Sequence, residues 1–178
     1  MDRIPFQATA AGAGYEFITQ LPVAVLLDNV RSLYNVGAFF RTADAARVGK
    51  LYLCGITGRP PHRALSKTAL GAEDRVPWEH TWEPVALVER LRDRGYEIAA
   101  VETSTHAVDL FDWTPRFPVC LIFGHEVEGI RPEISALSDT QVRIPMLGAK
   151  HSLNVATAGG IVIYELLRKY RAGTAALR

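Results

Sequence analysis

Uninterrupted apolar runs constrain this chain more than any other feature. Val23-Ala24-Val25-Leu26-Leu27, Leu51-Tyr52-Leu53-Cys54 and Val119-Cys120-Leu121-Ile122-Phe123 contain no polar residue. A strand with one wet face alternates apolar and polar side chains, whereas a run without alternation suits a strand covered on both faces. Between the first two runs, Val36 to Arg47 has helical spacing, with Gly49 as its expected stop. Val85 to Arg94 reads as an amphipathic helix ending at Gly95, followed by a strand from Glu97 to Val101. Pro118 to Phe123 is a further strand and Val142 to Pro145 a short last one. A long helix is expected from Asn154 to Tyr170, and Gly58 to Arg63 is a loop by composition. Strands alternating with helices imply an α/β fold: a mainly parallel sheet flanked by helices.

The chain has 178 residues, which fits one domain. Residues 1–21, rich in small side chains from Ala8 to Gly14, are expected to be a lightly packed lead-in, and 22–178 a single domain. Formal net charge is +1, so any nucleic-acid contact must rest on a local basic surface rather than bulk charge. Cys54 and Cys120 sit inside apolar runs and outside any C-x-x-C spacing, which reads as two buried, reduced thiols. The histidines offer no metal-ligand pair on one helix face, so no metal is expected. No run approaches the ~20 apolar residues of a membrane span, and no leader is visible at Met1-Asp2-Arg3-Ile4. A cytoplasmic protein is expected.

Three segments carry candidate chemistry. The first, Asn29 to Arg41, follows the first strand and opens the first helix, at the end where α/β sheets place ligands. Asn35 is a natural N-cap, Gly37 permits close approach, and Arg41 is either functional or an i,i+3 partner of Asp44. The second, Leu121 to Ile130, runs a buried strand into a turn with Gly124, Glu126, Glu128 and Gly129, where exposed main chain can read a small polar ligand. Its bland alternative is a tight turn with solvated glutamates. The third, Ile144 to Ala156, places Ser152 as a cap of the last helix and Asn154 in its first turn. The series Val155, Ala158, Val162, Leu166 and Tyr170 suits core or subunit contact. There is no Walker A pattern, no strand-borne G-x-G-x-x-G and no G-x-S-x-G elbow, which argues against nucleotide hydrolysis, a dinucleotide fold and an esterase.

In this order the three segments resemble the SpoU/TrmH family of RNA ribose 2′-O-methyltransferases. Asn35, Gly37 and Arg41 match its N-x-G-x-x-x-R motif, and Phe123, Gly124, Glu126 and Gly129 its F-G-x-E-x-x-G motif. Ile144, Pro145, Met146, Gly148, Ser152, Leu153, Asn154, Val155, Ala158, Tyr164 and Glu165 match the third; Ala156 stands where many relatives have serine. The match covers roughly residues 22 to 171.

The resemblance implies a deep trefoil knot formed by Val119 to Tyr164, a homodimer, and S-adenosylmethionine as cofactor with S-adenosylhomocysteine as product. It places Thr103, Phe123, Gly124, Ile144, Met146, Gly148, Ser152 and Leu153 on the cofactor, largely through main chain. It implies transfer to a ribose hydroxyl of tRNA or rRNA by Arg41, Asn35, Glu126, Ser152 and Asn154. Arg41 would stabilise charge and Asn35 position it or the ribose. Glu126 would orient Arg41 or the cofactor side, and His125 is an alternative base. Arg31, Arg59, Arg63, Lys67, Lys150, Arg168 and Lys169 are candidate phosphate contacts. Many relatives add an RNA-recognition domain, and none is expected here. The rival readings are an RNA-binding module without catalysis and a methyltransferase on a non-RNA substrate.

Overall fold

Seven parallel strands form the middle layer. A computed structural model describes residues 14–175. In chain order the strands are β1 (Leu21–Asp28), β2 (Val48–Cys54), β3 (Trp78–Thr81), β4 (Glu97–Val101), β5 (Val108–Asp109), β6 (Val119–Phe123) and β7 (Thr140–Arg143). They lie in the order β3-β2-β1-β6-β4-β7-β5, and every pairing is parallel. The expected parallel α/β sheet is therefore present. The apolar runs become β1, β2 and β6, side by side in the centre, because only there is a strand covered on both faces. Val23, Val25 and Leu27 pack on one face, with Phe39, Val162 and Leu166. Ala24 and Leu26 pack on the other, with Leu87, Leu91 and Ile134.

The helices are α1 (Leu33–Ala45), α2 (Arg63–Ala69), α3 (Pro84–Asp93), α4 (Pro132–Ser135) and α5 (Val155–Ala175), with a 3-10 turn at Ala72–Asp74. Helices α1, α2 and α5 cover the first face and α3 and α4 the second. The expected α3 and β4 hold, with Gly95 in the left-handed region at φ 83° where the chain leaves the helix. Gly37 lies where α1 meets α2: a Cβ there would stand 2.4 Å from the Leu65 carbonyl oxygen and 2.0 Å from Thr68 Oγ1. Its role is helix packing.

Three helix-end expectations are corrected. Helix α1 starts earlier, and Ser32 is its N-cap, accepting from the Asn35 amide at 3.3 Å. Asn35 thus sits inside the first turn, and its side chain does not cap the helix. The helix ends at Ala45, Arg47 takes a left-handed φ of 55°, and Gly49 falls inside β2 rather than stopping α1. At α5 the cap is Asn154, whose Oδ1 accepts from the Ala156 and Thr157 amides at 2.9 and 3.2 Å; Ser152 makes no capping bond. Helix α2, strand β3 and the two-residue β5 have no counterpart in the sequence reading. Cys54 and Cys120 are buried free thiols, and burial pushes the Cys54 thiol up to about 12. Residues 1–13 lie outside the described residues. Within 14–20, Ile18 is buried and its carbonyl accepts from Arg47, while Arg171 stacks over the Tyr15 ring.

Candidate active site

Strands β4, β6 and β7 end together at the carboxyl edge of the sheet, and the chain beyond each builds one cavity. After β6, a Gly124–Gly129 turn is closed by His125 and Gly129, which exchange main-chain bonds of 3.0 and 2.9 Å. A Cβ on Gly124 would lie 2.2 Å from the Gly129 carbonyl carbon, so the turn requires glycine there. His125 Nδ1 accepts from the Val127 and Glu128 amides at 3.1 Å each. That nitrogen serves the turn, which leaves it unavailable as the alternative base. Glu102, just past β4, accepts from the Ile130 amide at 2.7 Å. Beneath the turn, Arg131 makes a forked pair with Asp28, which is 1% exposed at the end of β1.

Glu126 reaches away from the turn to the start of α1. Its carboxylate accepts from the Arg31 amide at 3.1 Å, the Ser32 amide at 3.2 Å and Asn35 Nδ2 at 3.1 Å. Burial alone would raise this carboxyl, but the hydrogen bonds from Arg31, Ser32 and Asn35 outweigh it and hold Glu126 below the usual range. Asn35 Oδ1 in turn accepts from Asn154 Nδ2 at 3.1 Å. One residue from each of the three motif segments thus joins a single chain, Glu126–Asn35–Asn154. With the carboxylate accepting at one end, both amide orientations are fixed.

The cavity has a volume of about 580 Å³, within the range of small-molecule sites. Thr103, Phe123, Gly124, Ile144, Met146, Ser152 and Leu153 line it, as do Glu126 and Asn154. Gly148 does not, and Asn35 joins through its bonds to Glu126 and Asn154. Arg41 is apart: it lies exposed on α1, outside the lining. Among the described residues its side chain makes no hydrogen bond or ion pair, so neither pairing with Asp44 nor contact with Glu126 is present. The sequence reading missed Glu102 and His151 as lining residues; the place of Glu102 at the carboxyl end of β4 was the available signal. Of the candidate phosphate contacts, Arg168 is bound to Glu165, and Lys169 Nζ donates to the carbonyls of Leu110, Phe111 and Trp113. Both are engaged internally.

S-adenosylmethionine fits this lining by its chemistry. It carries a flat apolar ring system, hydrogen-bonding edges and a cationic sulfonium. Phe123, Ile144, Met146, Leu153 and Val155 supply apolar walls, open main chain lies at Gly124 and Ile144, and Glu102, Glu126 and Glu128 suit a cation.

A family model, the SpoU rRNA methylase family, matches residues 22–164. A tRNA (guanosine(18)-2′-O)-methyltransferase of Aquifex aeolicus is 34% identical over 84% of this chain and 71% of that protein. A 23S rRNA (guanosine-2′-O-)-methyltransferase RlmB of Vibrio parahaemolyticus is 30% identical over 84% of this chain and 60% of its own length. The chain spans 59% of a putative TrmH family tRNA/rRNA methyltransferase of Staphylococcus haemolyticus. The crystal structure of the A. aeolicus TrmH/SpoU tRNA modifying enzyme superposes with TM-score 0.79 at 31% identity, covering 89% of this chain and 80% of that one. An AdoMet-bound rRNA methyltransferase from Sinorhizobium meliloti gives TM-score 0.76 at 30% identity, over 82% and 56%. With the family model spanning all three motif segments and the fold matching over 89% of its length, the chain belongs to the SpoU rRNA methylase family.

Proposed function

We propose that this chain transfers a methyl group from S-adenosylmethionine to a ribose 2′-hydroxyl of tRNA or rRNA. The observation that carries the reading is the Glu126–Asn35–Asn154 chain at the rim of the cavity. When bound, the cofactor supplies a sulfonium-activated methyl group, and S-adenosylhomocysteine is the product. Gly124, Ile144 and Leu153 hold it by main chain, Phe123 and Met146 by apolar contact, and Thr103 and Ser152 from the rim. Gly148 lies outside the lining and is assigned to the cofactor by its place in the motif alone.

A ribose hydroxyl is a weak acid, so the protein's task is to place the oxygen and favour its developing charge. Asn35 and Asn154 hold the ribose side in register, and Glu126, kept ionised, fixes Asn35. Arg41 stabilises the charge; a guanidinium gives up its proton too reluctantly to act as base. Because Arg41 lies outside its own chain's cavity, we assign it to the cavity of a second copy. The homodimer is supported by Tyr34 on α1 and Ile161 and Tyr164 on α5, large apolar side chains left exposed on adjacent helices. The reading includes the knot through Val119–Tyr164 and a cytoplasmic place of action. Among the described residues no helix is long and apolar enough to cross a membrane.

The test compares nucleosides from RNA of cells with and without the gene by mass spectrometry. Loss of one 2′-O-methyl nucleotide is expected. RNA affinity without that loss would favour a binding module, and methyl transfer only to protein or small molecules would favour the other substrate class. Arg41→Ala should abolish transfer while calorimetry shows the cofactor still binding; near-normal turnover would remove Arg41 from the mechanism.

A further inference from the structure

Strands β2 and β3 end in register, Cys54 opposite Thr81, so the chain beyond them opens side by side at the same edge of the sheet as the cavity. Two large apolar side chains stand exposed there, Ile56 at 59% and Trp82 at 65%. The indole is not loosely placed. Its ring meets that of His80 edge to face, with centroids 5.2 Å apart and planes at 82°. His80 is itself clamped at both nitrogens: Nε2 lies 2.9 Å from the Gly55 carbonyl oxygen and Nδ1 2.7 Å from Arg59 Nη1. A guanidinium only donates and a carbonyl only accepts, so Nδ1 accepts and Nε2 carries the proton. The clamp therefore fixes the orientation of the ring, and that ring holds Trp82 with most of its surface open.

The cation beside this platform has no carboxylate partner. Arg59 forms no ion pair among the described residues, nor do Arg63 and Lys67, one turn apart on α2. By contrast Lys50 and Arg90, on the face covered by α3, are both neutralised by Glu79. An open aromatic face beside a guanidinium that has no carboxylate partner is the combination that holds an unpaired base and its phosphate. An apolar protein partner would have to strip water from the same cations without replacing it.

We propose that Trp82 is a stacking platform for an unpaired base of the substrate RNA, with Arg59 on the adjoining phosphate. Three strand spacings separate β3 from β6, about 14 Å at ~4.8 Å each, so the stacked base flanks the nucleotide at the cavity rather than being it. The assignment rests on the methyl-transfer reading above and gives it a second point of RNA contact.

The test uses the full chain with Trp82→Ala, Trp82→Phe and Arg59→Ala variants. Total RNA from cells lacking the gene and a short unpaired oligoribonucleotide serve as probes. Fluorescence anisotropy, quenching of tryptophan emission, cofactor calorimetry and sedimentation are the readouts. Trp82→Ala should weaken RNA binding about 10-fold and abolish most of the quenching, and Trp82→Phe should weaken it by only about 2-fold. Arg59→Ala should lower the salt slope of binding by about one. Cofactor affinity and oligomeric state should stay as in the wild type. Wild-type RNA affinity and methylation in Trp82→Ala would overturn the platform while leaving the methyl-transfer reading intact. A changed oligomeric state with unchanged RNA affinity would overturn it in favour of a protein contact. Failure of the wild-type chain itself to bind or methylate RNA would remove both.

Discussion

The two loops that face each other across the cavity are built in opposite ways. The segment after β6 is wired at nearly every step. His125 and Gly129 close on each other, Glu102 takes the Ile130 amide, Glu126 takes three donors from Arg31, Ser32 and Asn35, and Arg131 grips Asp28. The segment after β7 is not: residues 145–153 form no hydrogen bond with any described residue, and Leu147 is 99% exposed. One wall is made before a ligand arrives, whereas the other has its polar main chain free to be used by one. A site that combines a preset wall with an adaptable one sets orientation on one side and admits the ligand from the other.

The comparison is broken most severely at the base of the wired wall. Arg131→Ala leaves Asp28 buried without its partner. It should cost about 3 kcal/mol, the low end for such pairs because Arg131 reaches solvent, measured by urea unfolding. Next, Glu126→Ala should lower turnover about 100-fold with a smaller change in stability, since it frees Asn35 and the start of α1 from a fixed position. Asn35→Ala should cost a similar factor and the double variant little more, because both break the same chain; full additivity in the rate measurements would show the two acting separately.

The pH dependence sharpens the same contrast. The folded Glu126 carboxyl lies below its unfolded value, so its contribution is fully present above about pH 4.3 and is lost as pH falls through the lower folded value. Cofactor affinity should show no step from this group between pH 5 and 8, and Glu126→Gln should remove the acid-side loss. The smallest effect belongs to the unwired wall. Leu147→Ala should change stability by less than about 0.5 kcal/mol. Hydrogen exchange should nevertheless find residues 145–153 fast in the free protein and slowed by S-adenosylmethionine. Protection already present without cofactor would contradict the contrast.

Much of the wired wall was legible as composition but not as connection. The central strands were readable because a strand buried on both faces cannot carry polar residues, and β4 was found from Glu97 to Val101 end to end. Edge elements were not: β3 is Trp-Glu-His-Thr, half-buried throughout, and α2 is only seven residues long. Cap assignment failed where two capping residues lay within reach of one helix start. Ser32 and Asn35 are three apart, and Ser152 and Asn154 two apart, so local pattern alone could not choose. The choice was made by tertiary bonds: Asn35 is held by Glu126, 91 residues away, and by Asn154, 119 away. Likewise Arg41 was legible as a motif residue, but its distance from the cavity depends on how α1 packs.

Those two separations also set an order of events. Contacts that close long loops form late, after the local helices and hairpin-like neighbours have been made. Asn35 is available early in synthesis, yet its partners arrive only with the chain after β6 and at the start of α5. A nascent chain that ends after β2 holds Asn35 but neither of its partners. The Glu126–Asn35–Asn154 chain is therefore the last part of the cavity rim to be completed, and truncation before α5 removes both that link and the Val162 and Leu166 cover of β1.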